Sequence, residues 1–197
     1  MRSALVLLAL VLALGGWQVL RREQNERRLA LVATEVAQRQ VDVDCPGFLA
    51  RLVEITPNAG WVDFDANGRP ADNTHLSAAT CASLERVWRA EEPHEFSCLR
   101  TICREETYDL VAGIITLAHE SWHLRGVTNE AQTQCYAVQS SELVALRLGV
   151  RPIGARAIAD FVAARDAIAA DGAYHSCLLY TSPSPRDRTR SRMPSSA

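Results

Sequence analysis

Two histidines bracket a glutamate at His119-Glu120-Ser121-Trp122-His123, the pattern H-E-x-x-H, closing an apolar run over 109–118 (DLVAGIITLA). Four residues apart on a helix, both imidazoles leave one face and can reach a single metal ion. The glutamate between them then stands beside the water that such a metal activates, as its general base. Two unrelated surface histidines on an amphipathic helix would give the same letters. Burying His, Glu and His on so apolar a segment is costly without a metal, however. The spacing therefore predicts Zn2+, with His119 and His123 as ligands and Glu120 as catalytic base.

A catalytic zinc takes three protein ligands and keeps one position open. Two continuations compete for the third. In a metzincin-like arrangement Gly126 falls at the pattern's glycine, but the ligand slot is Asn129, which offers neither charge nor imidazole. The chain also has no methionine between Met1 and residue 177 to supply a Met-turn. In a gluzincin-like arrangement the ligand is a glutamate on the next helix, and Glu130 stands in that helix's first turn. A first-turn carboxylate also complements a helix dipole, but a helical hairpin would bring Glu130 back to His123 and favours the ligand role. Glu142, further along the same helix, is the fallback. An oxyanion donor could come from Tyr108, Tyr136 or His175.

The segment HESWHLRGVTNEAQTQCYAVQ (119–139) resembles the zincin-like module of actinobacterial membrane-associated proteins, through His119, Glu120, His123, Gly126, Glu130, Cys135, Tyr136 and Gln139. The likeness is close over that segment and loose over the hairpin and helix that precede it. It implies a zinc site and names no substrate.

These residues need elements to hold them. Thr107 or Glu106 starts the motif helix, and Gly126 stops it. Asn129 with Gln132 forms a capping box for a helix running to Leu148. Ser77 caps a helix to about Ala90, with Cys81, Leu84 and Val87 on one face. Trp61 to Phe64 reads as a strand and Asn67-Gly68 as a hairpin turn. Asp63, Asp65 and Asn67 imitate a calcium loop, but Thr74 replaces the closing glutamate and Pro70 interrupts, so the turn is the better reading. From Asp42 to Glu54 the apolar positions Cys45, Phe48, Leu49, Leu52 and Val53 suggest a helix. Glu91, Glu92, His94 and Glu95 form an acidic loop. Pro152 and Gly154 precede a last helix over 155–170. The fold class is mainly α: a zincin-like helical core with a small β-hairpin, behind an N-terminal membrane helix.

Residues 1–20 read as a membrane anchor or signal segment, ALVLLALVLALGGWQVL after Arg2, with an uncleaved anchor favoured by Trp17 and the arginines at its end. Residues 21–40 read as a charged helical stalk, and 41–176 as the zincin-like domain. The tail from Cys177 onward is expected to be non-native. LLYTSPSPRD and SRMPSSA translate in one frame from sequencing-adapter DNA (CTCTTATACACATCT gives LLYTS), so the native chain is expected to be truncated near Ser176.

Without that tail, the 21 basic residues lose four arginines and the 23 acidic residues lose one aspartate, leaving a net charge near −5. No basic face for nucleic acid is suggested. Arg21, Arg22, Arg27 and Arg28 outnumber Arg2, which alone would keep the domain cytoplasmic. Cys45, Cys81, Cys98, Cys103 and Cys135 argue the other way, for disulfides and an extracytoplasmic domain. The residues thus imply a single-pass, cell-membrane-anchored zinc metallohydrolase acting on a peptide or protein. The alternative is a non-catalytic, zinc-stabilised, disulfide-bearing ectodomain.

Overall fold

A computed structural model describes residues 2–47, 50, 58–90 and 96–168. The acidic loop, His175, the tail from 177 and most of the helix expected up to Glu54 lie outside these residues. Five α-helices and a three-stranded sheet account for the described chain, which is mainly helical. In chain order they are α1 (Arg2–Ala37), β1 (Asp42–Asp44), β2 (Gly60–Phe64), β3 (Pro70–Leu76), α2 (Ala78–Arg89), α3 (Glu105–Leu124), α4 (Glu130–Arg147) and α5 (Pro152–Ile168). A single 3-10 turn, Ser97–Arg100, precedes α3.

Local chemistry sets most boundaries. Ser77 caps α2, its side chain accepting from the Thr80 N–H, and Asn129 caps α4 by accepting from the Gln132 N–H, as their sequence signatures predict. Gly126 follows α3 at φ 103°. In the β2–β3 hairpin the Asp65 carboxylate accepts from the Asn67 N–H at 2.8 Å and the Arg69 N–H at 2.9 Å. Those backbone donors, Arg69 first, hold the Asp65 carboxyl below its usual range. The calcium-like letters therefore build a turn.

One expectation needs correction. Asp42–Asp44 is a strand and not the start of a helix: β1 runs parallel to β3, and β2 antiparallel to it, in the order β1-β3-β2. Val43 points into the core while Asp42 and Asp44 face out. Among the described residues no helix is long and apolar enough to cross a membrane, so the membrane helix expected over 1–20 finds no support there. The stretch expected as a stalk is helical to Ala37, and its Leu29, Val32, Ala33 and Val36 are buried in the domain core.

That core centres on α3. Ile114, Leu117, Ala118 and Leu124 are buried in one cluster with Leu29 and Val32 of α1, Leu84 of α2, and Val144 and Ala145 of α4. Cys45–Cys81 ties the chain after β1 to α2, and Cys98–Cys103 closes the 3-10 turn. Cys135 is disulfide-bonded as well, so no described cysteine is free.

Candidate metal centre

Both motif histidines emerge from the last turns of α3, where the chain reverses through Gly126 and enters α4. Helix α4 begins at Glu130, so the reversal sets its first carboxylate against the α3 imidazoles. His119 Nε2 lies 3.1 Å from one Glu130 carboxylate oxygen, and His123 Nε2 lies 3.3 Å from the other. The two Nε2 atoms are 3.0 Å apart. Ligands at zinc–nitrogen distance around a tetrahedral ion stand roughly 3.3 Å from one another, so these separations fit a metal between them. His119, His123 and Glu130 could hold a metal ion.

Hydrogen bonds behind the imidazoles decide which nitrogens are available. His123 Nδ1 lies 2.7 Å from the Val127 carbonyl oxygen, which only accepts, so Nδ1 carries the proton. His119 Nδ1 faces the Gln134 amide oxygen at 3.1 Å and donates in the same way. Both Nε2 lone pairs are then left pointing at each other and at the Glu130 carboxylate. Such outer partners fix the tautomer and raise ligand basicity. Burial, and then the neighbouring His123, push the His119 pKa down, which favours the neutral imidazole that binds metal.

Glu120 leaves the same helix toward the cavity floor and is 5% exposed. Its Oε2 is fully buried and has no hydrogen-bond partner. Burial, reinforced by the Glu130 charge, pushes its pKa up to about 8. An unpartnered buried carboxylate oxygen costs free energy and marks a place where a cation or its water would be compensated. The donor set and this orphan oxygen together fit a metal ion.

A cavity of about 770 Å³ opens over the centre. It is lined by Gly60, Trp61 and Phe64 of β2, by Ile115 and Thr116 of α3, and by Thr128 and Gln134. Phe64 meets His123 edge-on, with ring centroids 5.8 Å apart. Because β2 is an edge strand, one side of its backbone is unpaired within the sheet.

The structure brings His119, Glu120, His123 and Glu130 together and leaves the other described candidates, Glu142, Tyr108 and Tyr136, elsewhere. Glu142 pairs with Arg156 at 3.1 Å. The Tyr108 hydroxyl accepts from the Cys103 N–H, and the Tyr136 hydroxyl accepts from the Gln132 amide; neither tyrosine lines the cavity. Gln134, the Val127 carbonyl and Gly60 escaped the sequence reading. Gln134 was discoverable, standing one turn after Glu130 on the same helix face. The Val127 carbonyl carries no side-chain signal.

No protein-family model, curated protein or solved structure matches this chain.

Proposed function

We propose that this chain is a zinc-dependent metallohydrolase, with His119, His123 and Glu130 as metal ligands, Glu120 as general base and a peptide as substrate. The observation that carries the reading is the buried, unpartnered Glu120 oxygen beside three converging ligand groups on the floor of an open cavity. A closed structural zinc site would need neither the spare carboxylate nor the cavity. Bound there, zinc supplies Lewis acidity, acidifying water and polarising a carbonyl oxygen.

Glu120 takes the proton from the attacking water and passes it to the leaving amine. Gln134 and the Val127 carbonyl hold the two imidazoles with their Nε2 lone pairs turned inward. The edge of β2 favours an extended peptide, which can pair with its free backbone groups while its scissile carbonyl lies over the centre.

Placement outside the cytoplasm is supported by the disulfides. Attachment to a membrane surface, short of crossing it, would use Leu10, Leu14, Trp17 and Leu20 of α1, all more than half exposed. The direct test is zinc content together with cleavage of a mixed peptide library by the zinc-loaded chain. One zinc per chain with cleavage abolished by Glu120→Gln is expected. Zinc binding with no cleavage of any peptide would favour the non-catalytic ectodomain, and absence of zinc would overturn both.

A further inference from the structure

Gly60 opens strand β2 against the Glu120 side chain, and the geometry points to a reason why it is a glycine. A Cβ at this position would fall 2.9 Å from Glu120 Cγ, 2.9 Å from Leu76 Cδ2 and 3.2 Å from Glu120 Oε1. The two closest approaches are tighter than real carbon contacts allow, so a side chain there would have to move something. Leu76 is buried and pairs with Gly60 across the sheet. The strand itself cannot easily retreat. The Ala59 carbonyl, immediately before it, accepts from the Ser77 N–H at 2.9 Å and from the Thr80 hydroxyl at 2.8 Å. Both donors belong to the capped, buried start of α2. What must yield is therefore side chain: the end of the buried Leu76 and, on the site's side, the Glu120 rotamer.

We infer that Gly60 is a positioning residue: its bare Cα, pinned in place through Ala59 by Ser77 and Thr80, is the wall that keeps the Glu120 carboxylate directed at the metal centre. This rests on the zinc-hydrolase reading and adds to it a chain of contacts, α2 to Ala59 to Gly60 to Glu120, by which the sheet sets the base. Backbone conformation is not the reason for the glycine, since Gly60 does not adopt positive φ. An added methyl acts by size alone.

The test uses the full-length zinc-loaded chain and acetohydroxamic acid, a small chelator that binds zinc through two oxygens and donates its hydroxyl proton to a carboxylate placed beside the metal. Affinity is measured by calorimetry, and bound zinc by metal analysis. Gly60→Ala is expected to keep one zinc per chain and to lose about tenfold in hydroxamate affinity, comparable to the loss in Glu120→Gln. Combining the two substitutions should cost no more than either alone, because both remove the same contact. A merely structural role for Gly60 would instead add to the Glu120→Gln loss. Thr80→Val, which leaves Gly60 in place and cuts one anchor of Ala59, is expected to lose affinity in the same direction but less.

Wild-type affinity in both Gly60→Ala and Thr80→Val would overturn this inference alone. Failure of the wild-type zinc-loaded chain to bind acetohydroxamic acid would overturn the hydrolase reading and the positioning role with it.

Discussion

The Nε2 atoms of His119 and His123 face each other at 3.0 Å with no proton between them once their Nδ1 partners are satisfied. Two lone pairs at that distance repel, and the Glu130 carboxylate beside them adds negative charge. Either a proton or a metal relieves the arrangement. Burial and the neighbouring imidazole oppose protonation of His119, so the metal is the better resolution.

Gln134→Leu removes the acceptor for the His119 Nδ1 proton while keeping similar bulk. Zinc affinity should fall by about 10- to 100-fold, the usual effect of losing an outer partner of a metal-bound histidine. Competition against a chromophoric chelator measures it. Unchanged affinity would mean that His119 is oriented by packing alone.

Glu120 gives the metal-free protein a pH dependence of definite sign. Burial pushes its folded-state pKa up to about 8, above its ordinary value of 4.5. The stability that accompanies its protonation is fully present below pH 4.5 and is lost as pH rises through about 8. The loss should be on the order of 3–5 kcal/mol across that window. Glu120→Gln, which cannot ionise, should flatten this fall in denaturant melts of chelator-treated protein. An equally steep fall in the variant would assign it to another group.

The parts of this molecule that were legible in its letters are those set by local chemistry. Ser77 and Asn129 announce helix starts because their side chains bond the N–H three residues on, and the H-E-x-x-H pair needs only helical spacing. Glu130 required one more step, the reversal through Gly126. Strand β1 was hidden because its partner β3 lies some thirty residues away, and strand formation depends on such partners more than on composition. Tyr108 and Tyr136 were drawn toward the site by their hydroxyls, yet each hydroxyl already accepts a hydrogen bond elsewhere.

Charge also concealed the role of α1. Its second half carries many arginines and glutamates, but Leu29, Val32, Ala33 and Val36 follow helical i, i+3, i+4, i+7 spacing and are buried. Leu29→Ala should therefore cost about 2–5 kcal/mol, as for other fully buried leucines, measured by urea denaturation. A cost below about 0.5 kcal/mol, typical of exposed positions, would mean that this segment stands free of the domain.

Arg39 connects the end of α1 to the end of the motif helix. Its Nε donates to the Leu124 carbonyl at 2.7 Å, one of the terminal carbonyls of α3 that no helical N–H can reach. The rest of the guanidinium donates to the Ala71 carbonyl and pairs with Asp72, so one side chain joins α1, α3 and the start of β3. Arg39→Ala removes a charge-assisted donor from a half-buried carbonyl and should destabilise the fold by about 1–2 kcal/mol. Because Leu124 directly follows His123, the last turn of α3 should fray first. Amide exchange at Leu124 and Arg125 should accelerate more than exchange at Leu110 or Ile114 in the same helix. Arg39→Lys keeps the charge but not the planar fork, so it should recover part of the stability and little of the local protection. Uniform acceleration along α3 would instead assign Arg39 a global role.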